Sequence, residues 1–448
     1  MLGNQLPLIS ALPFVALLAA IAIAPLAAPR WWHPNRNKAL VAVLVALPVL
    51  LYMGITLGEP GRHVLAEKAH EYLGFIVVIG ALFIIAGGIR IEGSLSGSPL
   101  ANTGMLAIGA VLANLVGTTG ASVLLIRPLL RANKARKRVA HIVVFFIFIV
   151  ANCGGLLTPI GDPPLLLGFL KGVPFDWTLR LWPQWLTVIG ILLAVFKLWD
   201  EAALNRDERE LPGSQHQQVL VHEPLRIRGA VEMLVLLGVL LTIIFAGRAA
   251  AAGTPWPHGM QELAIVVLAA VGYFAGSQER RTSNAFTFGP LVEVAVLFAA
   301  IFATMAPVLE ILNAWSQGTR TVLGMNFGVS QPAQFFWATG ALSGVLDNAP
   351  TYLAFAAAAA GLEGLPAHGA FIGALALDPQ SARILAAIST GAVFMGANTY
   401  IGNAPNFMVK AIAEENGVKM PSFFGYMAYS LGILLPIFVV ISLVFFSR

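Results

Sequence analysis

The sequence predicts an all-α polytopic membrane protein: two inverted repeats, with about ten spans and two re-entrant hairpins in all. Three observations carry that expectation. The 448-residue chain is 58% hydrophobic and only 11% charged, with a mean hydropathy of +0.80, whereas soluble proteins carry about 25% charged residues. Apolar runs near the roughly 20 residues that cross a bilayer recur along the whole length. The basic residues fall in short loops between those runs, so the net charge of +5 marks topology rather than nucleic-acid binding.

Taken in order, apolar runs near 6–28, 39–57 and 72–90 supply three spans. The first lacks a basic leader and a cleavage site, so Pro7 to Ala28 is expected as a retained helix rather than a removed signal. The next stretch, 104–131, is interrupted by NLVGTTGAS, and 139–171 by PIGDPP; 180–199 closes the half. A polar segment at 200–228 divides the chain. Runs near 229–247, 261–276 and 290–312 follow, then 333–361 interrupted by LDNAPT, 381–416 interrupted by YIGNAP, and a last span at 422–446. The expected division is a first repeat at 1–199, a cytoplasmic linker at 200–228 and a second repeat at 229–448.

Loop charge decides how 104–131 lies. RANKARKR (131–138), RWWHPNRNK (30–38), the linker and ERR (279–281) are all expected to be cytoplasmic. A simple span at 104–131 would put the first two on opposite sides. A hairpin that enters from the cytoplasm and turns at Gly117–Gly120 keeps all four together. The same reasoning makes 333–361 a hairpin from the outside and puts both termini outside. Each half then has an odd number of crossings, so the halves are inverted, as is common in secondary transporters. GLLTPIGDPPLLL (155–167) and GANTYIGNAPNFM (396–408) share Gly, Thr, Ile, Gly and Pro at matching places.

Irregular backbone at membrane depth is tolerated only inside protein or beside a wet cavity. Four such interruptions are expected to gather at one midplane site. Helix N-termini there favour an anion, and free carbonyls favour a cation. Thr118, Thr119 and Ser122 lie at the first hairpin tip, and Asp347, Asn348 and Thr351 at the second. Thr158 and Asp162 face Thr399 and Asn403 across the pseudo-symmetry. Asp162 and Asp347 stand out, because burial favours the neutral form of an acid and suits a group that exchanges a proton for a sodium ion. Both also precede a helix restart, where an Asp caps free amides. Sodium is expected at Asp162, Asp347, Asn348 and Asn403.

Other polar residues have plainer readings. Arg127 is expected to snorkel or to form a structural ion pair, Lys171 and Lys410 to mark the ends of the broken helices, and Glu293 and Glu310 to be interfacial. Asn114 and Asn152 either line the cavity or tie helices together. Tryptophans 31, 32, 177, 182, 185 and 256 are expected in an interfacial belt, and the run AFAAAAAG (354–361) at a close helix contact. No metal-ligand spacing joins the eight His residues, His216 and His222 in the linker among them, and the lone Cys153 excludes an internal disulfide. No nucleophile–base arrangement suggests an enzyme, and no cofactor is expected beyond a transported or coupling sodium ion and proton.

GTTGASVLLIRPLLRAN, NCGGLLTPIGDPP, LDNAPTYLAF and GANTYIGNAPNFMVKAIAEENG together resemble motifs of the ion transporter superfamily. The nearest branch is that of NhaD-type sodium/proton antiporters and citrate transporters; arsenite permeases and dicarboxylate carriers are more distant. The resemblance implies a two-repeat carrier with a scaffold and a moving part, a homodimer, in a bacterial inner membrane. It also implies ion or substrate contact by Ser122, Thr158, Asp162, Asn348, Thr351, Thr399 and Asn403. The hairpin tips depart from the Ser-Asn-Thr signatures of the dicarboxylate carriers, which weakens transfer of that site. The expected function is sodium:proton antiport by elevator-type alternating access. The alternative is proton- or sodium-coupled transport of citrate or a related organic anion.

Overall fold

The computed structural model describes residues 2–94, 96–210, 223–252, 254–284 and 286–447. The chain is a helical polytopic membrane protein. Among the described residues nine helices are long and apolar enough to cross a membrane, or ten if Phe371–Leu377 and Pro379–Asn398, bent by 119°, make one span. Their outward faces carry large apolar side chains such as Ile55, Leu186, Leu234 and Leu443, as a lipid solvent requires.

Helix Pro99–Ala132 carries the first turn-back. A straight helix of 34 residues would be about 51 Å long at 1.5 Å per residue. Yet Asn102 and Asn133, near its two ends, exchange hydrogen bonds of 2.9 and 2.8 Å. The chain therefore folds back between them, at Gly117, whose φ of 77° and ψ of 157° are not helical. A side chain there would be strained by that φ, which is why glycine occupies the turn. The turn falls at Gly117 alone, because Gly120 is already inside the returning helix. Pro332–Ser343 and Asn348–Leu362 make the second hairpin, with Phe335 and Phe355 packed across it at 6.3 Å between ring centres.

Two helices are broken. Ala140–Ile149 gives way to a 3-10 turn at Cys153–Leu157 and restarts as Pro163–Leu170. Pro379–Met395 gives way to a turn at Gly396–Asn398 and restarts as Ala404–Glu415. Both restarts begin with proline in the first turn, where its missing N–H and fixed φ do no harm. The breaks correspond in detail. Thr158 and Thr399 have φ of −136° and −137°, and Asp162 and Asn403 have φ of −146° and −153°.

The four basic segments meet at one end of the molecule. Asn35 bonds the carbonyl of Gly289, Arg280 that of Gly88, and Arg136 that of Gly97. Segment 200–228 is less of a linker than its polarity suggests. Helix Trp182–Glu210 runs on through its first part, held by Asp200 and Asp207 buried against Arg136 and Arg138. Its last part, Glu223–Arg228, pairs antiparallel with Arg90–Ser94 in one short ribbon, the only sheet among the described residues. The expectations for His216 and His222 lie outside the described residues.

Three smaller expectations are refined. Trp32 and Trp177 are buried, and Trp185 donates to the Gly154 carbonyl at 2.9 Å, so these three rings pack inward, while Trp31 and Trp182 are exposed. Arg127 reaches the loop after the 279–281 basic segment, where it donates to the Asn284 carbonyl at 3.1 Å and ties the first hairpin to the second half. Lys171 does end its helix, but it is buried there in an ion pair with Glu71 at 2.6 Å, and Glu71 also pairs with Lys68 at 3.1 Å.

Candidate functional site

Asp162 sits where the four interruptions converge. It is 1% exposed. Thr118, from the first hairpin tip, donates its hydroxyl to Oδ1 at 2.8 Å. Asn403, from the second break, donates its amide to the same oxygen at 3.0 Å. Asn348, from the second hairpin, donates to Oδ2 at 2.6 Å. One carboxylate thus receives a neutral donor from each of the other three elements. Hydrogen bonds to an ionised acceptor are worth about 1.5–3 kcal/mol each, and an ionised acid at this depth needs several of them.

Local chain geometry puts the carboxylate there. Asp162 precedes Pro163 with extended backbone, and its side chain makes no bond to its own helix. Two of the first amides it could cap are missing, since Pro163 and Pro164 have no N–H. The carboxylate turns inward instead. The tip of the first hairpin is held against the break by the Thr118 amide, which donates to the Gly161 carbonyl at 2.8 Å. Gly155 and Gly161 face each other so closely that a Cβ on either would strike the other's backbone.

A ring of asparagines fixes the surroundings. Asn152 donates to the Asn406 side chain at 2.7 Å and accepts from Asn403 at 3.2 Å, so the two breaks cross at these residues. Asn406 donates to the carbonyls of Gly396 and Thr399, both at 2.9 Å. Asn114 donates to the Gly154 carbonyl at 2.7 Å and accepts from the Leu157 amide at 2.8 Å. Asn114 and Asn152 therefore tie the breaks in place. Asn406 belongs to the same network; its position beside GNAP was the only signal for it in the sequence.

The remaining expected residues divide. Asp347 is half-buried and caps its own hairpin helix by accepting from the Ala349 amide at 3.0 Å; it makes no hydrogen bond to the Asp162 group. Thr351 bonds back to the Asp347 carbonyl at 2.9 Å. Thr158 donates to the Asn114 carbonyl at 2.6 Å, and Thr399 accepts from the Ile401 and Gly402 amides at 3.2 and 3.1 Å. Thr158 and Thr399 hold the loops, Thr351 bonds back along its own helix, and none of the three is hydrogen-bonded to Asp162. Thr119 is half-buried beside Thr118. Ser122 Oγ and Asn348 Oδ1 are buried and have no hydrogen-bond partner.

Chemically, the site offers one carboxylate, two carboxamides and a hydroxyl, with no cationic side chain bonded to the acid. Asn and Thr can donate through N–H or O–H, or turn to present oxygen. Oxygen ligands suit a hard cation such as sodium, and the unpartnered Asn348 Oδ1 is already an available one. Among the described residues, no three His, Cys, Asp or Glu side chains gather in a group that could hold a metal ion. The restarting helices at Thr118, Asp162, Asp347 and Asn403 also bring four N-termini toward the site, and such ends favour negative charge.

No curated protein matches the chain. A family model described as "Putative citrate transport" matches residues 3–446. With nearly every residue covered, and with buried helix breaks meeting at one carboxylate, the chain belongs to that citrate transport family.

Proposed function

We propose that this protein is a cation-coupled secondary transporter that carries citrate or a related carboxylate by alternating access, with Asp162 as the coupling group. The observation that carries the reading is the single buried carboxylate bonded by Thr118, Asn348 and Asn403. With Asp162 ionised and no cation bound, three donors satisfy it. When a proton or sodium ion arrives, the amides turn and present oxygen, and the local charge changes by one. The restarting helices and the Ser122 hydroxyl then hold the anion. The family description supplies the class of cargo. An elevator-like movement would take the two hairpins and two broken helices across the scaffold, and the matching breaks support two inverted repeats, 1–199 and 229–448. By loop charge the basic face, including 200–228, is cytoplasmic and both termini are outside; we take the working unit to be a homodimer in a cell membrane.

The second reading is sodium:proton antiport, in which Asp162 alternates between proton and sodium and no organic anion moves. Among the described residues no lysine or arginine is bonded to Asp162, which favours it, because a citrate trianion is usually met by such a group. One experiment separates the two. In proteoliposomes with imposed sodium and proton gradients, labelled citrate uptake and sodium-driven proton movement are measured side by side. Gradient-driven citrate uptake that is lost in Asp162→Asn supports the first reading. Sodium-driven proton movement without citrate uptake supports the second. Unchanged activity of both kinds in Asp162→Asn removes the coupling role.

A further inference from the structure

At the basic end of the molecule lies a cavity of about 1130 Å³ that the transport site does not use. Among the described residues lining it, seven are lysine or arginine and none is a carboxylate. Five of them are exposed, and three of these, Lys134, Arg206 and Lys419, come from separate segments: the loop after the first hairpin, the end of helix Trp182–Glu210, and the loop after the second broken helix. None of the three has a side-chain partner among the described residues. Their charges converge although mutual repulsion opposes it. The floor is rigid, because Arg136 is paired with Asp200 at 2.6 Å, and Asp200 also bonds His141 at 2.8 Å.

The opposite wall is apolar. Leu198 and Trp199 line the cavity, and they are 68% and 40% exposed on a helix that is itself a membrane span. Trp199 packs on Tyr429 at 5.7 Å and Phe145 at 6.2 Å between ring centres, so it is held in position. A purely solvated charge cluster would have no reason to open onto such a wall. A phosphate group joined to acyl chains matches both halves, since clustered lysine and arginine beside a span attract anionic headgroups.

We propose that this cavity binds an anionic membrane lipid, with its phosphate on Lys134, Arg206 and Lys419 and its acyl chains along Leu198 and Trp199. A free phosphate or carboxylate would use the cations and leave the wall empty, so the test compares the two. The full-length protein is reconstituted with brominated phosphatidylglycerol or brominated phosphatidylcholine, and tryptophan quenching is followed against lipid mole fraction. Subtraction of the Trp199→Phe variant isolates the signal of Trp199. The expected result is half-quenching by phosphatidylglycerol at a mole fraction on the order of tenfold lower than for phosphatidylcholine. The Lys134→Gln/Arg206→Gln/Lys419→Gln variant is expected to lose that preference. A variant altered at Arg62, Arg180 and Arg248, removing equal charge elsewhere, is expected to keep it.

Equal quenching by both lipids in the unaltered protein overturns the proposal, as does a preference that survives the triple substitution. Relief of quenching by millimolar pyrophosphate or citrate would identify a soluble anion as the ligand and also overturns it. Should the triple variant fail to fold, Lys419→Gln alone carries the test, with a partial loss of preference expected and an unchanged preference counting against the site.

Discussion

The two helix breaks share a backbone and differ in what they contribute. In the first, Asp162 brings a carboxylate; in the second, 241 residues on, Asn403 brings a neutral amide that donates to it. The glycine pairs match too. Gly155 and Gly161 approach each other in the first break, Gly396 and Gly402 in the second. The difference shows how a duplicated scaffold yields a single charged site. Two carboxylates sharing these donors would repel each other, and one would stay protonated. With one acid and one amide, the breaks are complementary, and the charge of the site can change by one unit. The hairpins are unequal as well: Thr118 and Asn348 both reach Asp162, whereas Asp347 serves its own helix.

That comparison can be broken most directly at the acid. Asp162→Asn makes the two breaks alike, and gradient-driven transport in proteoliposomes is expected to fall on the order of a hundredfold, the upper range of ion–substrate coupling. The chain should still fold, as judged by size-exclusion chromatography, because Asn retains an acceptor for Thr118. Exchanging the roles sharpens the point. Asp162→Asn/Asn403→Asp moves the carboxylate to the mirror position and is expected to recover a part of the lost transport, whereas Asn403→Asp alone adds a second acid and is expected to lower transport at neutral pH.

The glycine contacts test the packing of the breaks. In Gly161→Ala the new methyl group meets the Gly155 backbone, which cannot move aside, and a loss of about 1–3 kcal/mol is expected, read as a lower unfolding midpoint. Gly396→Ala, whose nearest neighbour would be the Gly402 carbonyl at 3.2 Å, is expected to cost less. The smallest effect is expected at Asp347. Asp347→Asn keeps an N-cap acceptor and should leave both stability and transport nearly unchanged, while Asp347→Ala is expected to cost about 1 kcal/mol. A collapse of transport in Asp347→Asn would restore that acid to the coupling site and end the contrast between the two hairpin tips.

Much of this arrangement was legible in the chain. Hydropathy located the spans, because lipid demands long apolar runs. Loop charge required a turn-back in 104–131, and Gly117 supplies it. Proline, glycine and acid in PIGDPP signalled a break that had to be satisfied by protein. Asp347 shares the outline of Asp162, an acid before a restarting helix at membrane depth, yet its carboxylate bonds its own helix instead of the other elements. What separates them is the following residues. Asn348 and Ala349 have amides to cap, whereas Pro163 and Pro164 have none. The partners of Lys171, the inward packing of Trp185 and the role of Asn406 depend on segments far apart in the chain, and no local pattern announces such meetings.

Composition and charge alone thus determined that this protein lives in a membrane, that it carries four interruptions, and that its basic loops share one face, since the cost of burying charge and backbone polarity leaves few alternatives. Only the tertiary structure decided that the interruptions meet at Asp162 and that Lys134, Arg206 and Lys419 surround one cavity. Those facts depend on which side chains come within 3 Å or share a wall after folding, and distance in space is set by helix packing rather than by spacing in the chain.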